Sequence, residues 1–368
     1  MKEPLDYKAA GVDYDQVDPL KVSAQRAARE TAVHLEAHGL LEVAASRGES
    51  AYVVDAGEFY LASITECLGT KALLADAMRP ITGRTHYDAI AQDTVAMAVN
   101  DVITVGATPV SVHAYWAAGA SDWFADRERA QDLVCGWKAA CDRCRVAWGG
   151  GETPALSGVV TPGAIDLAAS CVGMIRPKSR LTIGDHLAPG DAIVLLASSG
   201  LHANGVSLAR RLAERLPQGL ATPLPDGRLY GEALLVPTAL YSPVTEAIFA
   251  AGVVPHYAAN VTGHGWRKLL RHPGAFTYRI RALPPAPPVL RFAQRLAGID
   301  DREAYGTFNM GAGFALYVRP SDCDAVIRAA RAHGIEAWVA GAVESGERRL
   351  VIEPLGIEYG ARDLHVRA

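Results

Sequence analysis

The sequence predicts an α+β protein of two domains, and three observations carry that prediction. Strand-like apolar runs alternate with helical periodicity in both halves of the chain. A polar, proline-punctuated stretch at residues 176–190, RPKSRLTIGDHLAPG, reads as a connection between them. A length of 368 residues and a hydrophobic content of 50% supply material for two cores, placed at residues 1–178 and 179–368.

In chain order, a helical stretch over residues 20–45 precedes two strands, 51–54 and 59–64, joined by a turn at 55–58. A long helix is predicted over 86–105. Strand-like runs at 109–115 and 165–175 flank an amphipathic helix over 126–144. Beyond the connection come a short apolar strand at 192–197, a loop at 198–205 and a helix over 206–216. The LPPAPP patch at 283–288 reads as a rigid turn, and strand, helix and strand follow at 314–318, 322–333 and 338–343.

With 36 Lys+Arg against 40 Asp+Glu, the net charge of -4 leaves no broad footprint for nucleic acid. No apolar run approaches the ~20 residues of a membrane span, and the start MKEPLDYKAAGVDYD is too polar for a signal peptide. A soluble, cytoplasmic protein is predicted. The six cysteines are irregularly spaced. Cys141 and Cys144 form a C-x-x-C, but no partner motif completes four zinc ligands, and both lie on the apolar stripe of the 126–144 helix. The core reading is favoured.

Four stretches hold more glycine and polar residues than their flanks need. TECLGTK at 65–71 follows a strand, and its Gly69, Thr70 and Lys71 can offer backbone N–H groups, a hydroxyl and a positive charge to phosphate oxygens. It lacks the Walker spacing, and an ordinary strand-end turn explains it equally well. In the predicted helix, Asp93 and Asn100 stand seven residues apart on one face, with Asp101 turned away by about 80–100°. Their separation of roughly 10 Å is too long for one cation, so they suit two metals along a polyphosphate, or one end paired with a loop. Helix capping and exposure are the plainer alternative. Gly149, Gly150 and Gly151 read as a turn that lets backbone approach a ligand, with Glu152 as a hard oxygen donor just beyond. SSGLHANG at 198–205 lies between strand and helix, where a helix N-terminus binds anions. His202 is a base or a plain loop histidine; Asn204 is a ligand contact or a turn residue. Two smaller glycine-rich breaks, VTGHG and TFNMGAG, come later. No G-x-S-x-G elbow, H-E-x-x-H or catalytic carboxylate pair is present. Residue chemistry alone points to an enzyme binding a phosphate-rich ligand with Mg²⁺.

YKAAGVDYD, LGTK, DTVAMAVND, GGGET, SSGLHANGVSL, LLVPTALY, VTGHG and TFNMGAGF, in this order along nearly the whole chain, resemble one family. It is the aminoimidazole ribonucleotide synthetase (phosphoribosylformylglycinamidine cyclo-ligase) family. The resemblance implies a PurM-like fold: an N-terminal domain whose strands join those of a second copy into a dimeric β-barrel, and a C-terminal α/β sandwich. It implies ATP held with Mg²⁺, and ring closure of formylglycinamidine ribonucleotide driven by phosphorylation of its formyl oxygen. By the same resemblance Lys71, His202 and Asn204 are catalytic. Gly69, Thr70, Lys71, Asp93, Asn100, Gly149, Gly150 and Gly151 bind nucleotide, Thr262, Thr307 and Asn309 face the substrate, and Glu66, Asp93, Asp101 and Glu152 face metal. Departures are present. Glu66-Cys67 replaces the usual Asp-Gly, Leu68 a Val, and Pro154-Ala155-Leu156-Ser157-Gly158 the usual Ala-Glu-Met-Pro-Gly. Asn260 replaces a His, His264 a Gly, and the glycine- and phenylalanine-rich N-terminal loop is not recognisable. Two other readings stand beside this one: a superfamily enzyme acting on another amide or small molecule, and a non-catalytic nucleotide-binding paralogue.

Overall fold

The computed structural model describes residues 5, 6, 8–11, 13–364 and 367. Tyr7 and Val12 of the YKAAGVDYD stretch lie outside them. Two sheets organise the chain. The first contains β1 (Leu41–Glu42), β2 (Tyr52–Asp55), β3 (Tyr60–Cys67), β4 (Thr108–Ala118), β5 (Ala147–Glu152) and β6 (Ile165–Ile175), in the order β1-β2-β3-β6-β4-β5. Only the β4–β5 pair is parallel. The second contains β7 (Ala192–Ala197), β8 (Tyr257–Asn260), β9 (Phe276–Ile280), β10 (Ala312–Val318), β11 (Ala337–Ser345), β12 (Arg349–Ile352) and β13 (Ile357–Gly360), ordered β13-β12-β9-β11-β7-β10-β8. Here only β9–β12 is parallel.

Helices cover one face of the first sheet, and β6 shows why. Ile165, Leu167, Ala169, Cys171, Gly173 and Ile175 are buried, while the residues between them are not. The covering helices are α2 (Lys71–Thr82), α3 (Tyr87–Val102) and α4 (Arg127–Cys144), reached after the N-terminal α1 (Tyr14–Glu30). Asp126 caps α4 by accepting from the Arg129 N–H at 3.2 Å. Cys141 and Cys144 are buried on α4, where burial raises their thiols to about 12 and about 11. They are core residues, as the apolar stripe predicts. Ser63, Thr65, Cys67 and Val110 lie exposed on the opposite face of the sheet. In the second half come α5 (Val206–Ala213), α6 (Tyr230–Leu234), α7 (Ser242–Ala250), α8 (Pro288–Ala297), α9 (Asp301–Thr307) and α10 (Cys323–Ala332).

Several predicted elements change, among them β3 and β4, which run on to Cys67 and Ala118. The helix expected over 20–45 starts earlier, at Tyr14 behind the N-cap Asp13, and ends at Glu30, where the Thr31 hydroxyl donates to the Ala28 carbonyl at 2.7 Å. A tighter 3₁₀ stretch, Thr31–His38, follows it. The 206–216 helix stops at Ala213. The triple glycine is no turn but half of β5. A Cβ on Gly151 would lie 2.1 Å from the Ala114 carbonyl oxygen, so close approach of β5 to β4 requires glycine there. Among the described residues, no helix is long and apolar enough to cross a membrane.

Candidate functional site

The sequence-predicted residues separate into four places. The first is a buried cluster where the two halves of the chain meet. Lys71 opens α2 and Asp93 lies one helical turn and a half into α3; both side chains are fully buried, with Nζ 2.8 Å from Oδ2. Lys71 also donates to the Val236 carbonyl at 3.0 Å. Asp93 Oδ1 accepts from the Thr238 N–H at 2.8 Å and from its hydroxyl at 2.5 Å. Two turns along the same face, Asn100 donates to the Ala239 carbonyl at 2.8 Å and accepts from the Tyr241 N–H at 3.0 Å. The shared face is as the spacing predicts. What it meets is residues 236–241, a segment of the LLVPTALY stretch, rather than open solvent. Burial pulls the Lys71 ammonium below its ordinary pKa, and the Asp93 charge opposes that pull.

The second place is a cavity of about 650 Å³. Glu66 from the end of β3, Asp101 from α3, Asn204 from the 198–205 loop and Thr262 from the VTGHG break all line it. The Glu66 and Asp101 carboxyls are within hydrogen-bonding reach, and Asn260 donates to Asp101 at 2.7 Å. Burial first, and then the Asp101 charge, push the Glu66 carboxyl well above its ordinary range, against the pull of Lys268. Burial and the Arg271 charge lower Lys268. Two carboxylates side by side present hard oxygen ligands, and magnesium takes one or two of these together with substrate phosphates. Among the described residues no three His, Cys, Asp or Glu side chains gather closely enough to hold a metal by themselves.

Sequence reasoning missed much of this cavity. Lys268 and Arg271 line it from the segment after VTGHG, and Tyr14, Lys21 and Gln25 line it from α1. Charged residues in a solvated helix carry no signal of their own, so only the fold brings them in. His264, where the family has glycine, has a specific partner. Its ring stacks on Tyr14 at 3.8 Å, and Nε2 lies 3.2 Å from Asp18. Burial holds His264 down to about 4, so the neutral ring donates its Nε2 proton to the Asp18 carboxylate.

The third place is the 198–205 loop, where His202 and Asn309 serve the fold. His202 Nε2 accepts from the Ser199 N–H at 3.1 Å, and burial, with Lys71 nearby, lowers its pKa to about 3. With no ligand bound the ring is thus a weak base whose Nε2 is occupied by the Ser199 N–H. Asn309 donates to the Gly200 and Leu201 carbonyls at 2.8 and 3.1 Å and accepts from the Ser198 hydroxyl at 2.8 Å. Thr307 is buried and donates to Glu303 at 3.0 Å. Neither Thr307 nor Asn309 lines the cavity. The fourth place is the edge strand β5. Gly149, Gly150, Gly151 and Glu152 are exposed there and line neither this cavity nor a second one behind α7. Gly69 and Thr70 form the turn between β3 and α2, with the Thr70 hydroxyl 3.0 Å from that of Ser207.

Residues 48–175 match the N-terminal domain, and residues 188–352 the C-terminal domain, of the AIR synthase related proteins. A phosphoribosylformylglycinamidine cyclo-ligase of Anaeromyxobacter sp. (strain Fw109-5) is 35% identical over 358 residues, covering 93% of this chain and 96% of its own. One from Methanococcus maripaludis (strain C6) is 32% identical over 346 residues, covering 92% of each chain. Among solved structures, AaThiL complexed with AMPPCP and TMP shares the fold at a TM-score of 0.58 and 15% identity, over 85% of this chain and 90% of that one. With both halves matched in order and relatives aligned almost end to end, the chain belongs to the AIR synthase related family that includes the phosphoribosylformylglycinamidine cyclo-ligases.

Proposed function

We propose that this chain is an ATP-dependent cyclo-ligase of purine biosynthesis in the cytoplasm, converting formylglycinamidine ribonucleotide to aminoimidazole ribonucleotide with release of ADP and phosphate. One observation carries the reading: the near end-to-end similarity to relatives named for that reaction. The cavity supports it chemically. Lys21, Lys268 and Arg271 suit a phosphate-bearing substrate, and Asn204 and Thr262 add hydrogen-bonding groups. Glu66 and Asp101 would hold Mg²⁺, which neutralises triphosphate charge when bound. The turn at Gly69 and Thr70 would receive nucleotide phosphates, with Lys71, Asp93 and Asn100 fixing it from behind. In the wider fold, AaThiL and a PurL of T. maritima are each complexed with AMPPCP, which supports a nucleotide in this architecture.

The chemistry asks little covalent work of the protein. Transfer of the γ-phosphoryl group to the formyl oxygen makes that oxygen a phosphate leaving group. The amidine nitrogen then forms the ring C–N bond, phosphate departs with the oxygen, and the nitrogen loses its proton. Positioning and charge neutralisation suffice, in keeping with His202 being committed to its loop.

The reading keeps residues 1–178 as the nucleotide-binding and dimerisation domain and residues 179–368 as its companion, with two copies joined as a homodimer through the exposed face of the first sheet. A second reading, the same nucleotide chemistry on a different small molecule, is favoured by the Tyr14–His264 stack, which fills space where the family has glycine. An ATPase assay with and without formylglycinamidine ribonucleotide separates them. The cyclo-ligase yields one ADP per imidazole formed and turns ATP over slowly without the ribonucleotide. Fast hydrolysis without it, or no imidazole with it, rejects the first reading and leaves the second.

A further inference from the structure

We infer that a second cavity, of about 930 Å³ and separate from the first, binds an amphiphilic anion: a flat apolar body carrying one carboxylate, sulfonate or phosphate group. Much of its wall is apolar, formed by Val236, Pro237, Leu240, Ala247, Ala250 and Ile335. Arg143 and Arg145, at the end of α4, line it as well. Both arginines are exposed, and among the described residues neither has an acidic partner. Arg143 donates to Gln92 Oε1, a neutral acceptor. Glu246, the acidic residue in the wall, is already held by Arg180 and the Thr108 hydroxyl, each at 2.8 Å. The charge left over is positive, and it sits beside an apolar pocket wide enough for a ring system. That combination selects an anion with an apolar body over a bare anion.

The position of the cavity gives the ligand a lever. Its wall is the reverse side of residues 236–241, whose other side holds Lys71, Asp93 and Asn100. Gln92 lies between: its amide donates to the Thr238 carbonyl at 2.7 Å while its oxygen accepts from Arg143. Ser199 pins the same segment by donating to the Pro237 carbonyl at 2.6 Å. An anion that draws Arg143 away from Gln92 therefore acts, through Gln92, on Thr238, which hydrogen-bonds Asp93. Ligand bound here biases the Lys71–Asp93 pair, and through it the turn proposed to receive nucleotide phosphates. The binding site stands on the cavity alone; the coupling rests on the proposed nucleotide site.

The test uses the full chain and 1-anilinonaphthalene-8-sulfonate, an amphiphilic anion that fluoresces in apolar surroundings. Saturable binding is expected, weakened about tenfold or more by Arg143→Ala/Arg145→Ala. Ala247→Phe, which fills the wall, should abolish it, and Arg143→Lys/Arg145→Lys should keep most of it. AMP and benzoate are then offered as competitors beside inorganic phosphate. Displacement by AMP assigns a nucleotide, displacement by benzoate an aromatic acid. Unchanged affinity in the double alanine variant, no displacement by either, or equal displacement by inorganic phosphate overturns the site. The double alanine variant removes the Arg143–Gln92 contact as well, so its basal ATP affinity should shift in the same direction as probe binding shifts that of the natural chain. Probe binding that leaves ATP affinity unchanged overturns the coupling and spares the site.

Discussion

Lys71 and Asp93 neutralise each other where no water reaches, so each depends on its partner for more than geometry. Removing one leaves the other as a buried, unpaired charge, at a cost of about 3–5 kcal/mol, whereas removing both together costs far less. Lys71→Ala should therefore lower unfolding stability by that amount in urea titration, and Lys71→Met/Asp93→Leu should recover most of it. ATP affinity measured in Lys71→Ala has to be read beside this loss. Buried histidines add a pH dependence. His202 and His264 are held to about 3 and about 4, below the ordinary value of roughly 6.5, so the unfolded chain binds more protons. Their contribution is complete above pH ~6.5 and is lost as pH falls towards 4, at up to about 1.4 kcal/mol per pH unit for each. Thermal unfolding followed from pH 7 to 4.5 should show the decline, and His264→Gln should make it shallower. The seven-residue spacing of Asp93 and Asn100 was legible in the sequence as a shared face. Their partners were not, because Thr238 and Tyr241 lie some 140 residues downstream and no local periodicity reports such a contact.

At the scale of elements, two strands were readable to the residue, β6 from its alternation and β7 from its continuous apolar run. The cysteine-bearing helix was readable because apolar spacing and the N-cap Asp126 agree. β5 was not. Gly149, Gly150 and Gly151 carry no side chains to alternate, and glycine ordinarily argues for a turn. The fold uses the missing side chains to bring β5 against a bulged β4. Gly151→Ala would drive its methyl into the Ala114 carbonyl and should destabilise by about 1–3 kcal/mol, read as a lowered urea midpoint with unchanged slope. α1 was predicted in part, but its place over the cavity was hidden. Among its described residues only Asp18 is buried, and its anchor, the Tyr14–His264 stack, joins residues far apart in the sequence. Tyr14→Ala should raise the KM for substrate more than it lowers kcat if α1 closes the cavity.

For the whole molecule, two mixed domains were legible because strand and helix patterns recur on each side of a proline-marked connection. The pairing of sheets was beyond reach, since strand order leaves no trace in local composition. The exposed face of the first sheet, with Val110 45% accessible, is the surface through which the proposed homodimer would form. Light scattering at micromolar protein should give twice the chain mass, and Val110→Lys should shift it towards the monomer. The order of the second sheet also governs how the chain is made. β7 is an apolar interior strand, yet both neighbours, β10 and β11, are synthesised only from residue 312 onward. Until then the nascent chain carries an uncovered Ile-Val-Leu-Leu strand with both edges open, the arrangement most prone to self-association. The second sheet is therefore complete only after β10 and β11 have left the ribosome. Refolding should be slow, concentration-sensitive and assisted by a chaperone that shields β7.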